Sequence, residues 1–245
     1  MTTEAFYVQR SAQPSRHFLG GPSLHSGVAC PECARAVTLI WDLDLDSPQM
    51  PAPIRNAFGT LRRLPLYVCS QCLVLSYRIV DDEQIACFPH DRHFDYCHYL
   101  ESPHHSARVQ IERQRIHLHA IPPVIDRLWC KSRSLRLDES FTVAEKMTLQ
   151  NFYESLQIDP VDSHYYSQLG GSPYWIQNPR EMPCPNSLCR GAMHGQDDSQ
   201  KIAMKRLAHI APTDSPGLGD SILYTDFQFL VCSECFSIRV QYECT

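Results

Sequence analysis

Close pairs of cysteines are the residues of this sequence whose spacing most suggests chemistry, because thiolates a few residues apart can hold one metal ion from a tight turn. Eight of the twelve cysteines fall into four such pairs. Strands between the pairs would bring them together as in a structural zinc ribbon. We therefore predict two zinc sites, the first formed by Cys30, Cys33, Cys69 and Cys72 and the second by Cys184, Cys189, Cys232 and Cys235.

Each predicted Zn2+ ion has four sulfur ligands, which leave no open position for water or a substrate. Sites of this kind add folding free energy rather than catalysis. The alternative interpretation of the eight cysteines is a set of buried free thiols or redox pairs. The remaining thiols have no role that their spacing indicates: Cys87, Cys97, Cys130 and Cys244.

The composition predicts a folded cytoplasmic protein. The chain has 245 residues, of which 43% are hydrophobic, and this is enough to bury a sizeable core. No run approaches the roughly 18 to 20 apolar residues that span a bilayer, and the first residues lack the basic and apolar regions of an export signal. Reducing surroundings would keep the thiols available as metal ligands. We expect no membrane partner.

The formal net charge of −5 argues against a general nucleic-acid binder, because such affinity comes from many clustered Lys and Arg contacts. An acidic surface would instead suit a basic protein partner. A nucleic-acid ribbon would require five separated arginines to converge on one face: Arg35, Arg62, Arg63, Arg78 and Arg239.

The order of features occurs twice, which indicates an internal duplication. A Gly-Gly turn precedes the first Cys pair of each set, at Gly20 and again at Gly170. Residues 67–79 resemble residues 229–242, and an Asp-Ser-Pro loop occurs at 46–48 and at 214–216. We predict an α+β, mainly β fold of two related zinc-ribbon-containing halves packed as one unit. The segments are a lead-in (1–17), a first repeat (18–80), a connecting segment with a strand and a capped helix (81–164) and a second repeat (165–245).

Apolar patterning places strands between and after the cysteines. Residues 6–8 suggest a short edge strand, and Gly20 and Gly21 predict backbone with positive φ. The predicted strands cover 36–45, 64–68, 73–80, 108–121, 203–210 and 223–230, with a proline-rich loop at 48–53. A capping box at Thr142 and Glu145 predicts the one confident helix, to about residue 157. The aromatic group at 173–177, including Trp175, is interpreted as packing beside the second site rather than as a partner-binding anchor.

Residues 81–105 are polar and rich in histidine. One interpretation is a third metal site formed by Cys87, His90, His93 and Cys97, and the other is a solvated linker loop, which we prefer. A hydrolase-type enzyme could use His90, His93 or His98 with Asp91 or Asp95. The sequence contains no nucleophile elbow, phosphate-binding loop, metalloprotease motif or dinucleotide fingerprint, so we expect no enzyme activity.

Three groups of residues resemble a known family: residues 168–177, the dipeptide Cys184-Pro185 and residues 232–235. The segment that starts at Leu19 shows the same similarity more weakly. They look like the bacterial YwqG-like family, and more distantly like the N-terminal part of eukaryotic programmed cell death protein 2. The resemblance covers most of 18–242, and it implies two related halves with a binding role. Two departures are Leu24, where the second half has aromatic residues, and the insertion at 196–201.

Some members of the bacterial family lie in the gene neighbourhoods of polymorphic toxins, which implies immunity proteins, whereas the eukaryotic relatives look like chaperones of a ribosomal protein. We therefore expect a non-enzymatic, cytoplasmic zinc-binding protein that masks one protein partner. The leading prediction is an immunity protein that neutralises a toxin. The alternatives are a chaperone for a nascent basic protein and the hydrolase described above. The expected partner is a basic toxin or client protein, not a nucleic acid.

Overall fold

A computed structural model of the chain describes residues 4–89, 110–133, 141–158, 167–171, 183–189, 204–211 and 225–244. In this part of the chain, eleven strands form one curled antiparallel sheet, and three helices accompany it. The strands are β1 (Ala5–Arg10), β2 (His17–Leu19), β3 (Thr38–Asp44), β4 (Arg63–Val68), β5 (Leu75–Ile79), β6 (Ile85–Phe88), β7 (Gln114–Ile121), β8 (Gln168–Gly170), β9 (Lys205–Ile210), β10 (Thr225–Val231) and β11 (Ile238–Cys244). The helices are α1 (Ala52–Ala57), α2 (Pro123–Arg133) and α3 (Val143–Leu156). The fold is mainly β, as predicted.

The strand order is β4-β3-β2-β7-β1-β8-β9-β10-β11-β5-β6. The expected edge position of residues 6–8 was wrong, because β1 pairs with β7 on one side and β8 on the other. Its residues alternate between two apolar environments, with Val8 in the main core and Tyr7 in the core beneath the helices. A strand that is covered on both faces belongs in the interior of a sheet.

The main core draws on strands from both ends of the chain. All seven residues of β3 are buried, as its apolar run predicted. The large side chains of this core include Trp41, Tyr67, Tyr77, Phe227 and Phe229, each fully buried. Burial of each such side chain contributes roughly 1.5–3 kcal/mol. Because the contributing strands are far apart in sequence, neither end of the chain holds this core alone.

The first Gly-Gly turn has the positive φ that the sequence predicted. The φ angles are 64° at Gly20 and 106° at Gly21, and a Cβ at Gly20 would lie 2.7 Å from the carbonyl oxygens of Ile111 and Glu112. The Gly21 amide donates to the Ile111 oxygen at 2.9 Å. The absence of side chains therefore lets β2 approach the segment that leads into β7.

Helix α3 begins at the predicted capping box. The Thr142 hydroxyl accepts from the Glu145 amide at 3.2 Å, and the Glu145 carboxylate accepts from the Thr142 amide at 2.7 Å. The helix ends at Gln157, whose φ of 54° is left-handed. Helix α2 packs against it, and the Trp129 indole donates to the Tyr153 hydroxyl at 2.9 Å.

Helices α1 and α2 were not predicted. Helix α1 begins inside the proline-rich segment that the sequence suggested was a loop, and α2 begins directly after the prolines that end β7. Both starts are physically reasonable, because proline is compatible with the first turn of a helix, where its missing N–H is not needed. Among the described residues, no helix has the length and apolar character required to cross a membrane.

The two Cys-pair hairpins are paired differently. Strands β10 and β11 form a regular antiparallel ladder, whereas β5 pairs with β11 and β6 rather than with β4. In the hairpin that joins β4 to β5, the Tyr77 hydroxyl accepts from the Tyr67 amide at 3.0 Å and donates to the Pro65 oxygen at 3.2 Å. One buried side chain thus supplies hydrogen bonds to β4 that a neighbouring strand would otherwise make.

We expect Tyr77→Phe to reduce the free energy of unfolding by about 1–3 kcal/mol, because two buried backbone groups lose their side-chain partner. Urea denaturation measures this loss, and hydrogen exchange at the Tyr67 amide should be faster in the variant. A change below about 0.5 kcal/mol, which is typical of an uninvolved surface position, would contradict the role of the hydroxyl.

A second buried polar contact fixes the start of β2. His17 has no exposed surface, and its Nδ1 accepts from the Asp44 amide at 3.1 Å. Its Nε2 has no hydrogen-bond partner among the residues that the structure describes. Burial lowers the pKa of His17 to about 4, and Arg63, His117 and Arg16 lower it further, whereas the Asp44 carboxylate opposes them. The imidazole is therefore neutral in the folded protein at pH 7.

The depressed pKa of His17 makes stability dependent on pH. Below about pH 6.5, His17 is protonated in the unfolded chain but stays neutral in the folded chain. The free energy of unfolding therefore falls as pH falls, by about 3 kcal/mol near pH 4. In His17→Asn, the amide oxygen can keep the Asp44 contact without titrating. We expect urea unfolding of the variant to show a shallower loss of stability between pH 6.5 and pH 4.5. If the free energy of unfolding falls equally with pH in the parent and in His17→Asn, the assignment to His17 is contradicted, because the other titrating groups are the same in both proteins.

Candidate metal centres

The first predicted set of cysteines is brought together between the loop before β3 and the turn that joins β4 to β5. The Sγ atoms of Cys30 and Cys72 are 3.9 Å apart, and those of Cys33 and Cys69 are 3.5 Å apart. All four sulfurs lie within 4.8 Å of one another. A tetrahedral zinc ion with Zn–S bonds of about 2.3 Å requires sulfur separations of about 3.8 Å. The four sulfurs could therefore hold one metal ion.

The second predicted set has the same geometry. The sulfurs of Cys184 and Cys235 are separated by 3.4 Å, and those of Cys189 and Cys232 by 3.7 Å. The four again lie within 4.8 Å of one another. None of the ten cysteines whose side chains the structure describes forms a disulfide, whose sulfurs would be about 2.05 Å apart. The protein thus has two tetra-cysteine groups, as the spacing predicted.

Three of the four turns that carry these cysteines share one backbone conformation. In each, the amide four residues after the first cysteine donates to that cysteine's carbonyl oxygen, at 2.8–3.0 Å, and this fourth residue has a φ of 57–58°. The residues with positive φ are Ala34, Leu73 and Phe236. A left-handed non-glycine residue costs about 1–2 kcal/mol, so the surroundings must stabilise these turns.

Packing supplies part of this stabilisation. Leu73 lies in the main core, and the Phe236 ring packs against Phe58 with 5.6 Å between centroids. Two of the turns are closed by a second hydrogen bond, from the Cys30 amide to the Arg35 oxygen at 2.8 Å and from the Cys232 amide to the Ser237 oxygen at 2.9 Å. The turns are therefore fixed by the sheet as well as by any metal.

The fourth turn, between Cys184 and Cys189, is built differently, in agreement with its longer spacing. The backbone oxygen of the buried Asn186 accepts from the Cys189 amide at 2.9 Å, and its side-chain oxygen accepts from the Leu188 amide at 3.1 Å. The Leu188 side chain points to solvent and is 93% exposed. One asparagine thus shapes the turn that presents this leucine.

The thiols need a cation in order to ionise together. The hydrogen bond with the Cys30 thiol raises the pKa of Cys69 and of Cys72, and burial raises the pKa of Cys184. Cys235 differs: burial raises its pKa, but the Ser237 hydroxyl at 3.1 Å and the neighbouring thiols outweigh this and lower it to about 7. A divalent metal would supply the missing positive charge and release the thiol protons on binding.

The donor sets fit zinc, because four sulfurs at tetrahedral separations match its preferred structural site. A metal bound there would cross-link the turns, and all four donors come from this chain. The surrounding side chains are apolar: Leu230 and Met204 pack around the second group, and the first lies at the margin of the main core. This environment would limit the access of water to the thiolates.

The third metal site remains a prediction. Cys87 lies half-buried on β6 opposite Tyr77, and burial raises its pKa to about 11. His90, His93 and Cys97 lie outside the described residues, as do the other members of the hydrolase hypothesis, His98, Asp91 and Asp95. Cys130 is half-buried on α2. The aromatic group at 173–177, the loop at 214–216, the insertion at 196–201 and the side chain of Cys244 also lie outside the described part of the molecule.

Two of the five arginines named for a nucleic-acid ribbon have carboxylate partners. Arg62 Nε lies 3.0 Å from Asp82, and Arg63 Nε donates to Asp42 at 2.7 Å. A guanidinium that neutralises a carboxylate contributes less to phosphate affinity than an unpaired one. This arrangement does not favour Arg62 and Arg63 as the centre of a phosphate-binding face.

The sequence reasoning missed a row of buried polar side chains across β8, β9 and β10. Gln168 donates to Asp126 of α2 at 2.7 Å, and His209 Nε2 lies 3.3 Å from Asp226. Register places His209 between Gln168 and Gln228. The sequence feature that marks this row is the alternation of polar and apolar residues in β10. Such alternation is typical of a strand with one face exposed to water, but in this structure the polar face of β10 is buried.

We expect the purified protein to contain two zinc ions per chain, and Cys72→Ser and Cys232→Ser each to retain one. Since a structural zinc ion contributes folding free energy directly, each variant should lose more than about 3 kcal/mol of stability. Elemental analysis and native mass spectrometry measure the metal, and denaturation in the presence of reductant measures stability. Cys87→Ser, a half-buried thiol outside both groups, is the matched control and should retain both ions. Full metal content in either of the first two variants would reject the assignment.

No protein-family model, no curated protein and no solved structure matches the chain. The resemblance to the YwqG-like family therefore stays a prediction. The geometry of the two tetra-cysteine groups is the main evidence about what this chain binds.

Proposed function

We propose that this chain is a zinc-stabilised, non-catalytic protein that binds and masks one protein partner. The observation that supports the proposal is the grouping of the cysteines, since each group brings four sulfurs of one chain within 4.8 Å of one another, enough to fill the coordination of one ion. A zinc ion with four sulfur ligands stabilises structure rather than activating water. The metal would then hold turns and strands in a rigid arrangement that a partner can recognise.

The proposal includes two related halves. In the β5·β11 ladder, Ser76 faces Arg239, and the flanking pairs are Leu75 with Val240 and Tyr77 with Ile238. Because the sequence repeat aligns Leu75 with Ile238 and Tyr77 with Val240, this register is what a local two-fold axis between equivalent strands would produce. Positive φ at both glycines of the Gly170-Gly171 turn, as at the first turn, also supports a duplicated unit.

The two halves differ at the turn that carries their first cysteines. Leu188 is almost fully exposed in the second half, whereas the corresponding turn of the first half has Pro31 and Glu32 between its cysteines. Asn186 and the flanking cysteines hold the leucine in one position, so little conformational freedom is lost when a partner covers it. We propose that Leu188 contacts the partner and that the second half provides the recognition surface.

The partner that we propose is a basic toxin, so that the chain acts as an immunity protein. The toxin follows from the resemblance to the YwqG-like family, and its basic character follows from the net charge of −5 on this chain. A chaperone of a nascent basic protein would use the same kind of surface. The identity of the bound protein distinguishes the two.

Co-expression with the product of a neighbouring gene tests this function. We expect the two proteins to co-purify and the chain to protect cells from the toxicity of that product. Leu188→Ser should weaken the complex about 10-fold, as expected for the loss of one buried apolar contact. Val143→Ser, which changes a residue 76% exposed on α3, is the matched control and should leave binding unchanged.

The proposal is rejected if the proteins neither co-purify nor show protection. Specific association with a ribosomal protein in place of the neighbouring gene product would identify the chaperone. If the Leu188→Ser variant binds the partner as tightly as the parent, the proposed recognition surface in the second half is rejected, although the complex itself is established.

A further inference from the structure

A cationic cavity lies where β1, β2 and β7 meet, away from both tetra-cysteine groups. Its volume is about 740 Å3, and the residues that line it include Arg10, Ser11, Phe18, Arg113, Gln114 and Arg115. Three of these carry guanidinium groups, and no carboxylate from the described part of the chain lines the cavity. This is unusual for a chain whose net charge is −5. We call it the arginine cavity.

The backbone that holds the arginine cavity is regular sheet. Phe18 of β2 lies directly opposite Arg115 of β7, and Arg10 of β1 lies opposite Ile116. The Ser11 amide donates to the Arg115 carbonyl oxygen at 3.0 Å. Strand pairing therefore fixes the backbone positions from which Arg10 and Arg115 extend.

Gly21 makes room for one of these arginines. A Cβ at Gly21 would lie 3.3 Å from the Cγ and Cδ atoms of Arg113, closer than most side chains approach one another. The φ of 106° at Gly21 also disfavours any other residue. The predicted Gly20-Gly21 turn thus packs against the aliphatic part of the Arg113 side chain.

The Arg113 guanidinium packs against an aromatic ring of the cavity lining. Its central carbon is 3.7 Å from the centroid of Phe18, a close cation–π contact. Its one carboxylate contact is distant, because Nη2 lies 3.5 Å from Asp42, which already pairs with Arg63. The side chain remains 49% exposed, so it has donors that face solvent.

Arg115 carries the least compensated charge in the cavity. Its side chain is exposed and has no hydrogen bond or ion pair with any residue in the described part of the chain. Asp42 contacts both Arg113 and Arg63, so its one negative charge is shared between two guanidinium groups. Arg113 and Arg115 therefore give this part of the cavity a positive charge, which attracts anions.

We propose that the arginine cavity binds a nucleotide, that is, a ligand that carries phosphate groups on a planar base. Guanidinium groups bind phosphate through paired hydrogen bonds, and a phosphate with about two negative charges matches several arginines better than a single carboxylate does. The stacked pair of Phe18 and Arg113 provides a flat surface for the base. The volume of the cavity is within the range of small-molecule sites. The site is independent of the protein partner proposed above.

Calorimetric titration with ATP in a low-salt, magnesium-free buffer tests the site. We expect saturable binding that weakens as salt is added, weaker binding of inorganic pyrophosphate, and no binding of adenosine at about 1 mM. Arg115→Gln should bind ATP about 10- to 100-fold more weakly, because one charge-assisted contact is lost. Arg127→Gln, which changes an exposed arginine of α2, is the matched control and should bind like the parent.

Unchanged zinc content and an unchanged unfolding midpoint in Arg115→Gln would show that any loss of binding is local. The inference is overturned if neither ATP nor pyrophosphate binds at about 1 mM, or if both arginine variants bind ATP like the parent. Binding of an oligothymidylate or a polyglutamate peptide more tightly than ATP would also overturn it, because the cavity would then belong to a macromolecular partner. None of these outcomes depends on the test of the immunity function.

Discussion

Electrostatic repulsion among closely spaced thiolates is the constraint on which the tetra-cysteine groups depend. Four sulfurs within 4.8 Å of one another can all be ionised only around a cation. The hydrogen bond with the Cys30 thiol raises the pKa of Cys69 and Cys72, and burial raises the pKa of Cys184, so these thiols favour the protonated form. The turns bring these sulfurs together, and the sheet holds the turns in place. Metal affinity and folding are therefore parts of one equilibrium.

The sheet links the two groups through a single ladder. Strand β5 follows the second cysteine pair of the first group, β11 follows that of the second, and the two strands pair with each other. The central strands β1 and β7 join the same two regions from the other side. Loss of one metal would therefore weaken strands that also support the other site, so the two regions are expected to unfold cooperatively.

The sequence predicted the structure correctly where a residue type is compatible with few local structures. Cysteine spacing identified both groups, the Thr142–Glu145 capping box located α3, and paired glycines indicated positive φ. Other features depend on contacts between distant segments, which local sequence patterns do not encode. These are the interior position of β1, the pairing of β5 with β11 rather than with β4, and the buried polar row that contains His209. Proline at the start of α1 and α2 is compatible with both a loop and a first helical turn, which explains why these helices were missed.

Pro65 lies within β4, an outermost strand of the sheet, where it has no amide hydrogen to offer a further strand. The Tyr77 hydroxyl already occupies its carbonyl oxygen and the amide of Tyr67. A second molecule that approached this border would thus find its main hydrogen-bonding groups engaged or missing. The β4 border is therefore protected against self-association through an added strand.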